Sequence, residues 1–196
     1  MNKFLAPILF LIYEKILFLN DFTDNYIEIA NDNNVELKEL DSFIKIDKRP
    51  LESIIDYNNI PQWIEERVAG VENKFAYVVS EIIKKDENLM IELLKYSYRR
   101  GRDECFSKNA DDAFKLIISK FLDGNPCNGA ITLVKSETDF VKFIIETDTH
   151  EKFWRYGVNS EYYWDIRNKY IKGLLSSSRF FLYRDKNIYE IREVSV

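Results

Sequence analysis

His150 is the only histidine in the chain. Any chemistry that needs an imidazole near neutral pH, as general base or metal ligand, therefore falls to it. It stands in Asp148-Thr149-His150-Glu151, with Glu146 just ahead. Asp148 or Glu146 could orient the ring as a base, and nearby carboxylates could join it on a metal. The plainer reading, which the sequence favours, is a surface histidine in the first turn of a helix, neutral or solvent-bonded because the helix dipole does not favour a protonated ring there. Two-histidine zinc motifs are excluded by count, and no glycine-rich phosphate loop is present. Cys127, in Asn125-Pro126-Cys127-Asn128-Gly129, could act as a loop nucleophile with His150 as base. Nothing in the spacing brings the two together, so no catalytic residue, metal or cofactor is assigned.

Two further groups suit binding rather than bond making. Residues 96–102 read YSYRRGR. Arg99, Arg100 and Arg102 could grip a carboxylate or phosphate bidentately. On a helix, Arg99 with Asp103 and Arg100 with Glu104 would form i,i+4 pairs, which makes a salt-bridged exposed face the simpler account. Gly101 inside that helix costs about 1 kcal/mol against alanine, a cost that signals close packing or a bend. The second group is the aromatic run Phe153, Trp154, Tyr156, Tyr162, Tyr163 and Trp164. Aromatic rings with polar handles suit a pocket wall or an interface, although a buried stripe is their commoner use. The ligand-binding candidates are thus Arg99, Arg100, Arg102, Trp154, Tyr163 and Trp164.

Composition bounds what these residues can serve. The 196 residues are 46% hydrophobic and 15% aromatic, enough for a sizeable core without covalent staples. The net charge is −5, which disfavours nucleic acid as the main partner. Residues 1–100 carry 13 basic and 18 acidic side chains, while the remainder is balanced at 15 and 15. An acidic N-terminal half could meet a basic protein, or be a solvated connection. Cys105 and Cys127 are the only cysteines and, without a clear export signal, point to free thiols in a reducing, cytoplasmic setting. Residues 4–19, FLAPILFLIYEKILFL, are short for a membrane span and lack a small-x-small cleavage site. They are expected as a buried helix, with a membrane anchor or an export signal as the alternatives.

The elements that must position these groups follow from periodicity. Ile27 and Ile29, then Val35 and Leu37, alternate about Asn31-Asp-Asn-Asn34, which predicts a hairpin within 21–47. Pro50 and Pro61 open short helices near 51–58 and 61–69, the second stopped by Gly70. Apolar stripes predict helices over 72–85, 87–106 and 109–122. The period then changes. Strands are expected at 130–135 and 140–147, helices at 150–157 and 160–175, and a second hairpin at 179–184 and 188–194. The fold class is α+β, with N-terminal helices followed by a hairpin–helix–hairpin antiparallel sheet packed on helices. The expected organisation is an apolar helix and acidic segment over 1–49, packed on an α+β domain over 50–196.

This order of elements, with Tyr170-Ile-Lys-Gly173-Leu-Leu closing the helix between the hairpins, resembles the vinyl-reductase-type small-molecule-binding domains. It is also similar to the amino-thiazoline-carboxylate-hydrolase-like proteins of bacteria, over about residues 72–196. The resemblance implies helices and sheet enclosing an apolar ligand pocket. It carries over no catalytic residue, because neither cysteine lies near the second hairpin, where these families would place theirs.

The leading expectation is a non-enzymatic protein with an aromatic-lined pocket for a small ligand, its acidic group met by the arginines. Two alternatives stand beside it. One is an acidic interaction module of the inhibitor or immunity type, paired with a basic protein. The other is a hydrolase using His150 or Cys127.

Overall fold

A computed structural model describes residues 5–104, 109–123 and 129–193. Both cysteines, and with them the expectations placed on Cys105 and Cys127, lie outside the described residues. The chain is α+β, with helices leading and a four-stranded antiparallel sheet at the C-terminal end packed on helices. It divides into two compact units. The first comprises residues 1–87, 119–122 and 153–158, the second residues 88–118, 123–152 and 159–196.

In the first unit two long helices pair, α1 (Pro7–Asp32) and α3 (Ile60–Lys85), with the short α2 (Leu51–Ile54) between them in sequence. Pro7 and Pro61 occupy the first turns of α1 and α3, where the missing N–H costs nothing. The hairpin expected within 21–47 does not form, because α1 continues through Asp32. The deciding spacing is Phe18, Phe22, Tyr26 and Ala30, all buried on one helical face. Tyr26 stacks on Phe75 of α3 at 5.8 Å, whereas Ile27 and Ile29 are only half-buried. The Asn/Asp run ends the helix instead of turning a hairpin. Asn34 takes φ 53°, and the Val35 amide donates back to the Ala30 carbonyl at 2.8 Å.

Gly70 does not stop α3 either. A Cβ there would lie 2.0 Å from Ile44 Cγ2, so the glycine admits the incoming segment and the helix runs on. A second cluster of Leu5, Tyr13, Leu51, Ile55 and Trp63 closes the other part of the unit. There the Tyr13 hydroxyl lies against the main-chain carbonyls of Asp47 and Arg49. Among the described residues, no helix is long and apolar enough to cross a membrane.

The second unit carries α4 (Met90–Arg102), most of α5 (Ala110–Lys120), α6 (Glu161–Leu175) and the strands β1 (Ile131–Ser136), β2 (Phe140–Ile145), β3 (Phe180–Asp185) and β4 (Ile188–Glu193). Both hairpins stand where β-branched and aromatic runs flank polar turns, and the sheet order is β1-β2-β4-β3. Its inner face is buried, with Val141, Phe143, Tyr189 and Ile191 at the centre. Phe143 stacks on Tyr189 at 5.1 Å and meets Phe114 of α5 at 5.0 Å. Asn109 caps α5, its Oδ1 accepting the Asp112 amide at 2.8 Å.

The two rims of the sheet differ. β1 is exposed over most of its length, and its register against β2 slips between Leu133 and Lys135, leaving Val134 as a bulge. β3 pairs with β4 residue for residue without interruption.

The helix expected over 150–157 is reduced to one 3-10 turn, Glu151–Phe153. Phe153 and Trp154 are both buried, and the Arg155 amide donates to the Phe153 carbonyl at 3.0 Å instead of continuing a helix.

Candidate functional site

His150 is not a surface residue. It is fully buried in the second unit, and its partner is Asp123, not Asp148 or Glu146. Asp123 follows α5 and is itself buried; its carboxylate gathers three side chains. Oδ2 accepts from Arg167 Nε at 2.8 Å and Nη2 at 2.6 Å, while Oδ1 accepts from the Tyr163 hydroxyl at 2.9 Å and lies 3.3 Å from His150 Nε2. Tyr163 and Arg167 stand four apart on α6, so one helical face delivers both. The His150 ring stacks on Tyr163 with centroids 3.6 Å apart, and Trp164 meets it edge-on at 5.4 Å.

Asp148 does the local positioning. Its Oδ1 accepts the amides of His150 and Glu151, capping the 3-10 turn, and its Oδ2 accepts Trp164 Nε1 at 2.9 Å.

Burial alone would raise the Asp123 carboxyl, but Arg167 and His150 beside it outweigh that and hold it well below the usual carboxylate range. Arg167 is held above its ordinary value, the Asp123 carboxylate overcoming the cost of burial. None of Asp123, His150, Tyr163 and Arg167 is more than 2% exposed. With no surface offered to solvent, this cluster holds α6 to the segments at 123 and 148–150.

The arginine group divides. Arg100 pairs with Glu104 at 3.1 Å, the i,i+4 contact its spacing predicts. Asp103, expected opposite Arg99, lies instead 3.6 Å from Arg102. Arg99 is thereby left without an ion pair among the described residues. It borders an open depression of about 410 Å³ between α4 and α6, shared with Glu92, Lys95, Tyr98 and Lys169. Lys169 Nζ sits 5.5 Å over the Tyr98 ring.

A second depression, of about 520 Å³, adjoins the first through Lys169 and includes Asp165, Lys172, Leu182 and Arg184. Burial, then Glu161 nearby, raises the Asp165 carboxyl.

The aromatic candidates serve cores. Tyr163 and Trp164 belong to the buried cluster, and Trp154 packs edge-on against Phe75 within the first unit at 6.2 Å. None of them lines either depression. Two participants escaped sequence reasoning. These are Asp123 and Arg167, neither of which stands in a recognisable motif. A single available signal pointed to Arg167, its i,i+4 position after the inward Tyr163. Among the described residues, no three His, Cys, Asp or Glu side chains gather as a metal site requires. No family model matches the chain, and neither the curated proteins nor the solved structures contain a match.

Proposed function

We propose that the second unit is a binding module for an anionic ligand, which lodges over α4 and α6 and is held by Arg99 with Lys169, beside the Lys95–Glu92 pair at 3.1 Å. The observation that carries this reading is Arg99, a guanidinium left without an ion pair beside an open depression that Lys169 also borders. A cation with no protein counter-charge keeps its full capacity for a carboxylate or phosphate, and a guanidinium does so with directional donors. The Tyr98 ring offers an apolar floor beside the charges. The module binds and holds; no side chain is assigned to bond making.

Isothermal titration calorimetry with citrate and tripolyphosphate as probes tests this. Saturable binding of at least one is expected, weakening as salt is raised. Arg99→Ala should raise Kd by about tenfold, the usual order for one charge-assisted contact. Because Arg99 makes no side-chain hydrogen bond or ion pair among the described residues, the variant should melt as the parent does. Absence of saturation with both anions, or an unchanged Kd in Arg99→Ala, would remove the reading.

A further inference from the structure

β3 forms a rim of the sheet, with β4 on one side and no strand on the other among the described residues. The Phe180 amide donates to Ser178 Oγ at 3.1 Å rather than to β4, so it faces away from the sheet. With the two-residue period of a strand, the Leu182 and Arg184 amides and carbonyls face the same way. Among the described residues, no other chain segment pairs with this edge. The strand is six residues long and regular in register, without proline or bulge.

Its two faces offer different chemistry. Outward stand Phe181 and Tyr183, 52% and 58% exposed. On the helix side, Lys169 and Lys172 of α6 border the depression that Leu182 and Arg184 also line. Neither lysine has an ion pair among the described residues.

We propose that the free edge of β3 takes up an extended peptide by strand addition, one whose alternate side chains are acidic toward Lys169 and Lys172 and apolar toward Phe181 and Tyr183. Main-chain hydrogen bonds to the open edge supply affinity, and the alternation supplies specificity. The inference rests on the anion-binding reading for Lys169 and extends it from a small anion to a polypeptide.

A second copy of this chain fits less well. Antiparallel self-pairing centred on Leu182 would set the partner's Arg184 opposite Phe180, on the side that already holds Lys172, adding like charge there, while Arg184 itself is paired with Glu161 at 3.5 Å. Charge complementarity therefore selects an acidic strand over a copy.

The test uses the full chain and a fluorescein-labelled octapeptide of alternating Val and Glu, followed by anisotropy. Two further peptides carry N-methyl groups on the Glu amides or on the Val amides. Only one of these sets can face β3, so strand addition predicts that one methylated peptide loses about tenfold or more in affinity while the other binds like the parent. Lys172→Glu should weaken the peptide by a similar factor and leave citrate binding at Arg99 unchanged. Equal binding of both methylated peptides would overturn the inference, as would equal binding of an alternating Val/Lys peptide. Citrate binding without peptide binding would also overturn it, with the anion reading intact; loss of both removes both. A concentration-dependent dimer that dissociates in Phe181→Glu would give the edge to a second copy and overturn it equally.

Discussion

Asp123→Asn lowers the stability of the second unit by about 3–5 kcal/mol, the range for removing one partner of a fully buried ion pair. The loss is large because Arg167 stays behind, fully buried, with its two bonds to Oδ2 no longer made to a charge. Arg167→Met is expected to cost a comparable amount by stranding the carboxylate. Asp123→Asn combined with Arg167→Met should cost less than the two single substitutions added together, since no charge then remains unpaired. Urea titration followed through Trp164, which touches His150, reads all three. A loss below about 1 kcal/mol for Asp123→Asn would contradict the description of the pair as load carried by both partners.

The same cluster sets an acid limit. The folded-state carboxyl of Asp123 is held below its unfolded value of about 3.9. Its contribution is therefore complete above that value and fades as pH falls below about 4 toward the folded-state value. Asp123→Asn should flatten this part of the stability–pH curve.

Gly101→Ala and Gly173→Ala are each expected to cost about 3 kcal/mol or more, against an intrinsic helix gain of about 1 kcal/mol. A Cβ on Gly101 would stand 2.0 Å from the Tyr170 carbonyl oxygen, and one on Gly173 would stand 2.0 Å from that of Tyr98. α4 and α6 thus meet backbone against backbone through a reciprocal pair of glycines, and an added methyl can be accommodated only by separating two helices. Gly70→Ala is the control. Its obstacle is Ile44, with Cγ2 at 2.0 Å and Cβ at 3.3 Å, on a stiff β-branched side chain; relief there needs the irregular segment at 44 to shift rather than two helices to part, so the cost should be smaller. Denaturation midpoints of the three variants decide the point. Equal costs at positions 70, 101 and 173 would refute the argument from backbone contact.

What the sequence disclosed was local. Asn109 and Asp148 act as the caps that their positions before helical turns indicate, and both hairpins follow from β-branched runs about polar turns. Gly101 announced close packing or a bend, and the structure resolves this as packing. What stayed hidden was distant in sequence or ambiguous in chemistry. Asn31-Asp-Asn-Asn34 serves equally as a turn or a helix end, and only the burial of Phe18, Phe22 and Tyr26 chooses between them. The partner of His150 lies 27 residues away, beyond any motif spacing. Arginine is so rarely buried whole that Arg167 reads as a surface residue until the Asp123 carboxylate is seen beside it. Of the candidate site, Arg99 was legible as a cation. That it alone of its group would lack an ion pair among the described residues depended on where α4 ends.

The unequal rims of the sheet bear on how this molecule can polymerise. Open-ended growth by sheet extension needs two receptive rims per molecule, one to give and one to receive. The rim at β3 is regular and has no strand paired to it among the described residues, but the Val134 bulge and the charged Lys135 spoil β1 as a template. Any strand that docks on β3 therefore terminates the array it joins. Even two molecules forced together at β3 would exhaust each other's single valence, and the result would be a closed pair, not a fibre.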